Sequence, residues 1–473
     1  MEDVAIIKNR DQLLSHGNIA GRDIVLDILE AGLAAPDPYI NVRKMVRLEG
    51  NRLILDGPEF SQPEGQPPVV FDLDEVGRIF VVGGGKAAQR MAEALEHILG
   101  DRITGGHINA KKGDSVRLKR IEVTLAGHPL PDEDSVAGGR RIIEIEKQAR
   151  KGDLVFLCQS GGATALTAVP VPGVSLADLQ EVYRVLYFGC GANMPAANAV
   201  RNHLALVNGK HQRYVGDATL ITLHTEENPP DLRVHLYPNF YFGTTEIDPY
   251  DAAIGVLHTY RCWERVPQSV RDFLNRRDPQ YGPVRPWEVD GKPHYHFRVM
   301  GPEYMLRAAK QRAEQKGLRA EILVSSLSDV EAQPVAETLG FLAQEIEALR
   351  RPFAPPCVLI CGGELVVTVG NATGLGGRNQ EFALTTARRI EGSPNVVIAS
   401  ADSDGADGPT GAAGAIVDGQ TKARASEAGF DISAELANHN AYPVLEALGD
   451  TIYTGIRTTN VRDLRVIYVG EGA

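Results

Sequence analysis

Twice in the first half of the chain, a short apolar β-rich run passes through glycines directly into a helical pattern. The two segments are IFVVGGGKAAQRMAEAL (residues 79–95) and LVFLCQSGGATALTAVP (residues 154–170). A strand that is apolar on both faces must be covered on both, and a helix that follows it at once covers it by crossing back over the sheet. Successive units of this kind dictate an α/β fold with a parallel sheet and right-handed crossovers. Further β-rich runs at 121–125 and 218–223 extend the alternation. Helical stretches lie near 86–99, 132–150 and 176–188, with apolar residues at three- and four-residue spacing.

At 473 residues the chain exceeds what one hydrophobic core organises, so two domains are expected. Between about 228 and 293 the texture changes: Pro, Tyr, Asp and Arg crowd together and periodicity fades, which puts the junction there and divides the chain into 1–240 and 241–473. Periodicity resumes with a helix at 303–316, the strand AEILVSS, a helix after Pro334 and strands near CVLICG, LVVTVG and VVIASA. Lys plus Arg number 49 and Asp plus Glu 61, a net charge of −12, which argues against a broad nucleic-acid surface while leaving room for a local anion pocket. No run of eighteen apolar residues offers a membrane span, and the first residues lack the apolar core of a signal peptide, so a cytoplasmic protein is expected. Five cysteines without a Cys-x-x-Cys pair make no disulfide framework or zinc site; Cys357 and Cys361, flanking VLI, read as small core residues.

The first glycine elbow, Gly83-Gly84-Gly85 followed by Lys86, would let backbone approach a ligand and aim a helix N-terminus and a lysine at an anion. Gly83-x-Gly85-x-x-Ala88 also fits the dinucleotide fingerprint, but no acid convincingly ends a second strand to hold a ribose. It is not a Walker A loop, since Ala87 follows the lysine. The plain alternative is a tight turn with an exposed lysine. The second elbow, Ser160-Gly161-Gly162, lacks the GxSxG of a nucleophile elbow and reads better as an anion nest of backbone N–H groups. Ahead of it, GHPLPDEDS is a stiffened loop in which Asp132 caps the next helix, and His128 serves either a ligand or a structural hydrogen bond.

In the second half, CGGELVVTVGNATGLGGRNQEFAL leads through glycines into a helix that begins at Arg378, whose planar fork suits a phosphate. The segment ASADSDGADGPTGAAGAIVDG follows a strand and alternates Asp402, Asp404 and Asp407 with glycine before Pro409-Thr410. Such an acid-rich loop can hold Mg²⁺ through one or two carboxylates while phosphates fill the other positions; a purely structural turn is the alternative.

Together these segments resemble the glycerate 2-kinase family, the class II glycerate kinases once labelled hydroxypyruvate reductases. The resemblance covers nearly the whole chain: ILEAGLAAPDPYINV, VVGGGKAAQRMA, GHPLPDE, QSGGATAL, NAVRNHLALVNGK, CGGELVVTV, GLGGRNQEFAL, SDGADGPTGAAGA and TTNVRDLRVIYV. It implies a Rossmann-like N-terminal domain and a smaller α/β C-terminal domain with the active site in the cleft between them. There ATP and Mg²⁺ would meet a small hydroxy acid such as D-glycerate. The family's lysine falls on Lys86 and its arginine on Arg378, the two residues expected to act on the transferring phosphate. The expected nucleotide contacts are Gly83, Gly84, Gly85, Gly405, Gly408 and Thr410. Asp404 and Asp407 are expected at the metal, and Ser160, Gly161, Gly162, His128, Arg201 and Arg457 at the acceptor. Assembly is left open between monomer and homodimer.

The chain departs from the family at Asn202-His203-Leu204-Ala205, where a Lys-His-Leu-Ser is usual, and from Thr222 in TLHTEENP, where an acidic loop is usual. It departs again at Phe242-Gly243-Thr244-Thr245 and at Ile456-Arg457. These changes raise the expectation of retained ATP binding with an altered acceptor, Arg457 serving a second carboxylate or a longer polar tail. Two rivals stand beside the kinase: a nicotinamide-dependent oxidoreductase and a catalytically inactive ligand-binding relative.

Overall fold

Five parallel strands carry the first unit in the computed structural model, which describes residues 5–61, 64–192, 194–225 and 248–471. In chain order they are Ile79–Gly84, Ile103–Lys111, Glu122–Ala126, Leu154–Gln159 and Thr219–Thr225, and across the sheet they run third, second, first, fourth, fifth, with His294–Met300 beyond the fifth. This is the Rossmann-type order, in which connections diverge to opposite sides between the first and fourth strands and open a crevice at their C-terminal ends. Both of those strands are buried throughout, as their unbroken apolar runs require. Helix Glu133–Glu146 packs Ile142 and Ile145 against them and starts in a capping box, Asp132 accepting from the Ser135 amide at 3.0 Å. A three-stranded antiparallel sheet, Val46–Glu49, Arg52–Leu55 and Val69–Asp72, belongs to the same unit.

The second unit is built on a mixed six-stranded sheet. Its order is Arg319–Glu331, Cys357–Val366, Asp463–Val469, Val396–Asp402, Gly414–Asp418, Thr451–Ile452, and only the first pair is parallel. Helices Ala332–Leu349 and Arg378–Arg389 bury their apolar stripes on one face, around Leu339, Phe382, Leu384 and Ile467. Cys357 and Cys361 are buried free thiols in this core, and burial pushes Cys361 up to about 11.

The division of the chain is not linear at residue 240. One unit takes residues 5–37 and 300–471, the other 38–225 and 248–299. The reason lies in helix Ile19–Ala34, whose buried face belongs to the mixed sheet: a Cβ on Gly32 would come within 2.4 Å of Leu464. Arg22, fully buried, donates to Asp418 at 2.6 Å and to Asp450 at 2.8 Å. A buried cation is tolerable only with such partners, so the arm is tied to the sheet. The stretch read as a junction contains helices Pro249–Thr259 and Gln268–Arg276, whose apolar residues pack with those of Leu176–Arg184 and Met194–Leu204. Residues 226–247, including Phe242 to Thr245 and most of TLHTEENP, lie outside the described residues. No described helix is long and apolar enough to cross a membrane.

Candidate functional site

The two glycine elbows end the first and fourth strands and face each other across the point where the strand order reverses, in register from Gly83 opposite Cys158 to Gly84 opposite Gln159. Their division of labour differs from the expectation. At the first elbow the amides that would greet a phosphate are engaged: Gly85 N–H donates to Asn109 O (3.1 Å), Lys86 N–H to Gly161 O (3.0 Å) and Ala87 N–H to Ser160 Oγ (2.9 Å). Gly83, Gly84 and Gly85 are glycine because the neighbouring chain is too close for anything larger. A Cβ there would lie 2.0 Å from Cys158 O, 2.4 Å from Thr167 Cγ2 and 2.2 Å from Ser160 Oγ. In this structure they serve close packing. Ser160 likewise uses its hydroxyl to cap the first elbow. The amides of Gly161 and Gly162 have no partner among the described residues and are the open donors of the pair.

Around those donors the charges are of one sign. The half-buried Lys86 forms no ion pair or side-chain hydrogen bond among the described residues. His128 lies over Gly162, where a Cβ would meet its ring at 3.0 Å. Burial, then the positive charges of Lys86, Lys111 and Arg201, push its pKa down to about 4, so it is neutral at pH 7. Arg201 is only 2% exposed and has no carboxylate partner among the described residues. Its guanidinium stacks on Tyr183 and Tyr187, 4.7 and 5.0 Å from the ring centroids, and hydrogen-bonds Asn198, leaving Nε unpaired. A buried cation with no carboxylate partner among the described residues, a lysine without an ion pair and two free amides are groups that an anion would satisfy.

Four histidines of this unit are held neutral by burial: His128 and His296 down to about 4, His203 and His224 to about 3. Unfolded, each titrates near 6.5, so between that value and its folded value the unfolded chain binds more protons and stability falls with falling pH. Asp402 and Asp407, both raised by burial, the latter to about 6, contribute with the opposite sign. The melting temperature is expected to be about 5–10 °C lower at pH 5 than at pH 7.5. Calorimetric scans across that range check this, and His128→Gln should leave a shallower dependence.

In the other unit the Arg378 fork is occupied. Nε lies 3.0 and 3.1 Å from the Asp463 oxygens, and Nη2 reaches Asp463 at 2.9 Å, Asp402 at 2.5 Å and Glu364 at 3.5 Å. Burial works against the charge, but Asp463, Asp402 and Glu364 outweigh it and hold the guanidinium above its ordinary pKa. Burial and the facing Asp463 carboxylate push Asp402 well above the carboxylate range. Only Nη1 is without a partner among the described residues, so a bidentate grip on phosphate is replaced by a single open edge.

The SDGADGPT loop serves this helix first. Asp407, fully buried, accepts from the Asn379 amide at 3.1 Å and the Gln380 amide at 2.8 Å, capping helix Arg378–Arg389 from a distant segment. Both its oxygens accept hydrogen bonds from this helix start, which gives it a structural task of its own. Thr410 accepts from Gln380 Nε2 at 2.7 Å and donates to Asp407 O, and so locks the loop. Gly405 and Gly408 take positive φ, and a Cβ would meet Gly455 O at 2.0 Å and Gly376 O at 2.7 Å, so these are packing glycines too. Asp404 fits a cation better: its Oδ1 accepts from Ala406 N at 2.9 Å, while Oδ2 has no partner among the described residues. No group of three or more His, Cys, Asp or Glu residues is arranged to hold a metal among the described residues. Mg²⁺ would therefore rest on Asp404 and phosphate oxygens. Arg457 donates from Nη2 to Leu33 O at 2.9 Å, at the C-terminal end of helix Ile19–Ala34, a helix-terminus contact that a cation favours, and its buried Nη1 has no partner among the described residues.

Sequence reasoning missed Asp463 and Arg465. The signal was the alternation Asp463-Leu464-Arg465 inside an apolar strand, which puts both charges on one face.

Residues 24–275 match a family described as a domain of unknown function (DUF4147), and residues 357–463 match the MOFRL family. The chain is 34% identical over 452 residues to a glycerate 2-kinase of Pyrococcus horikoshii, covering 95% of this chain and 97% of that protein. It is 34% identical over 393 residues to the D-glycerate 2-kinase of Thermotoga maritima, covering 82% of this chain and 89% of that one. A crystal structure of a Thermotoga maritima glycerate kinase, 29% identical, superposes with a TM-score of 0.77 over 94% of this chain and 99% of its own. Two elbows at a sheet's switch point, an anion receptor beside them and relatives matched end to end agree: the chain belongs to the glycerate 2-kinase family.

Proposed function

We propose that this chain transfers the γ-phosphoryl group of ATP to the 2-hydroxyl of D-glycerate. The observation that carries the reading is the group of Lys86, Arg201 and the open amides of Gly161 and Gly162, in which no carboxylate among the described residues pairs with either cation. The acceptor oxygen attacks the γ-phosphorus, the bond to the β–γ bridging oxygen breaks, ADP leaves and the hydroxyl proton is released. Such a transition state is loose, so the protein's work is alignment and charge neutralisation. In the first unit Lys86 is the free charge for phosphoryl oxygens, and in the second the Nη1 edge of Arg378 is the donor left open to a phosphoryl oxygen. Gly161, Gly162 and Arg201 hold the acceptor's carboxylate. Neutral His128 can accept a hydrogen bond from the acceptor hydroxyl, but at about 4 it is too weak a base to keep the proton at pH 7. Asp404 is the carboxylate that would hold Mg²⁺, which when bound with the nucleotide would supply further neutralisation of the phosphates.

Two features bear on the alternatives. The second strand ends in Asn109-Ala110-Lys111, so the acid that would hold a nicotinamide dinucleotide's ribose is missing. Arg457 uses Nη2 at a helix end and keeps Nη1 unpartnered among the described residues, and D-glycerate is the expected substrate because the relatives matched end to end are glycerate 2-kinases. The test is ADP release with ATP and Mg²⁺ over D-glycerate, tartronate, hydroxypyruvate and four- to six-carbon sugar acids, with the product position read by phosphorus NMR. We expect a kcat/KM for D-glycerate of about 10⁴ M⁻¹s⁻¹ or more. ADP release only with a longer acid would replace the acceptor, and NADH oxidation with hydroxypyruvate in place of ADP release would overturn the kinase reading.

A further inference from the structure

Asp463 is the most heavily used carboxylate among the described residues of its unit that bear on Arg378. It is fully buried at the start of strand Asp463–Val469, opposite Asp402 on the neighbouring strand. Its Oδ1 accepts from Arg378 Nε (3.1 Å), Arg378 Nη2 (2.9 Å) and Asn379 Nδ2 (3.0 Å), and its Oδ2 from Arg378 Nε (3.0 Å) and Arg465 Nη2 (2.7 Å). Arg465 is itself fully buried, its guanidinium 5.2 Å from the Phe382 ring centroid, so Asp463 is gripped from behind by a group that cannot swing away. On a planar guanidinium, a carboxylate on the Nε–Nη2 edge fixes the plane and turns Nη1 outward. Nη1 is the one nitrogen of Arg378 without a partner among the described residues. We propose that Asp463 is a positioning residue for phosphoryl transfer, holding Arg378 by its inner edge so that Nη1 alone is presented to the phosphoryl group. This rests on the role given to Arg378 above.

A plain structural role would make loss of Asp463 harmful regardless of Arg378; a positioning role acts only through it. Arg378→Ala should lower kcat about 10²-fold. Millimolar guanidinium ion, seated on Asp463, should then restore about tenfold of that loss with saturation, whereas ammonium at the same concentration should not. Asp463→Asn, close in shape, should lower kcat about tenfold with KM for ATP and D-glycerate within about twofold. The double variant Arg378→Ala/Asp463→Asn should be no slower than Arg378→Ala and insensitive to guanidinium. Wild-type kcat in Asp463→Asn, absence of guanidinium rescue in Arg378→Ala, or equal rescue in the double variant would each overturn the inference; the rescue of Arg378→Ala can be read even if no Asp463 variant folds. Wild-type turnover in Arg378→Ala would instead remove Arg378 from the proposed function, and Asp463's part with it.

Discussion

Lys86→Ala should lose about 10²-fold or more in kcat while melting within about 2 °C of the unaltered protein. The two halves of this expectation come from the same observation. The Lys86 ammonium touches no carboxylate, carbonyl or hydroxyl among the described residues, so its removal leaves no buried partner unsatisfied and the folded state hardly notices. Its amide, which does bond Gly161 O, is kept by alanine. For a transferring phosphoryl group the same lysine is a preorganised charge in a partly water-excluded site, and loss of one such group commonly costs about 10²–10³ in rate. Single-turnover measurements with saturating ATP separate chemistry from binding. Unchanged kinetics would take Lys86 out of the site.

Gly83→Ala, a change of one methyl group, should destabilise the protein by about 3 kcal/mol or more and sharply reduce soluble yield. The backbone at Gly83 has φ +147°, a region closed to side chains, and the added carbon would lie 2.0 Å from Cys158 O in the strand next door. Strain of that kind costs about 1–3 kcal/mol and overpacking about as much again, against a total stability of about 5–15 kcal/mol. Gly105 in the adjacent strand is the control: nothing lies within 4 Å of a Cβ there, so Gly105→Ala should be nearly neutral. Urea unfolding of the two variants decides the matter, and equal midpoints would contradict it.

What the sequence disclosed followed from period and burial. Ile79–Gly84 and Leu154–Gln159 were visible because strands covered on both faces cannot hide an apolar run. Strand Ile103–Lys111 was not read from the sequence, and Gly105-Gly106 interrupts its apolar pattern; Gly106 is there because Val81 O would stand 2.1 Å from its Cβ. A glycine that admits a phosphate and a glycine that admits a neighbouring strand look alike in one dimension. Lys86, His128 and Arg201, far apart in sequence, come near enough for both cations to act on the His128 ring. The carboxylates on Arg378 were not legible, since Glu364, Asp402 and Asp463 are spread over the sequence and meet only through strand pairing. Asp407 looked like a ligand and proved to be a cap for a helix whose own N-cap residue, Gly377, has no side chain to offer.

The buried ion pairs of Arg22 impose an order on how this molecule is made. Asp418, its partner, is 396 residues further along the chain. At a synthesis rate of about 5–20 residues per second, the arm emerges from the ribosome roughly 20–80 s before that carboxylate exists. Meanwhile residues 38–299, which contain the whole of the parallel sheet, are complete and free to fold. The beginning of the chain is therefore the last piece to find its place, and shortening it should be felt as instability at the far end of the sequence.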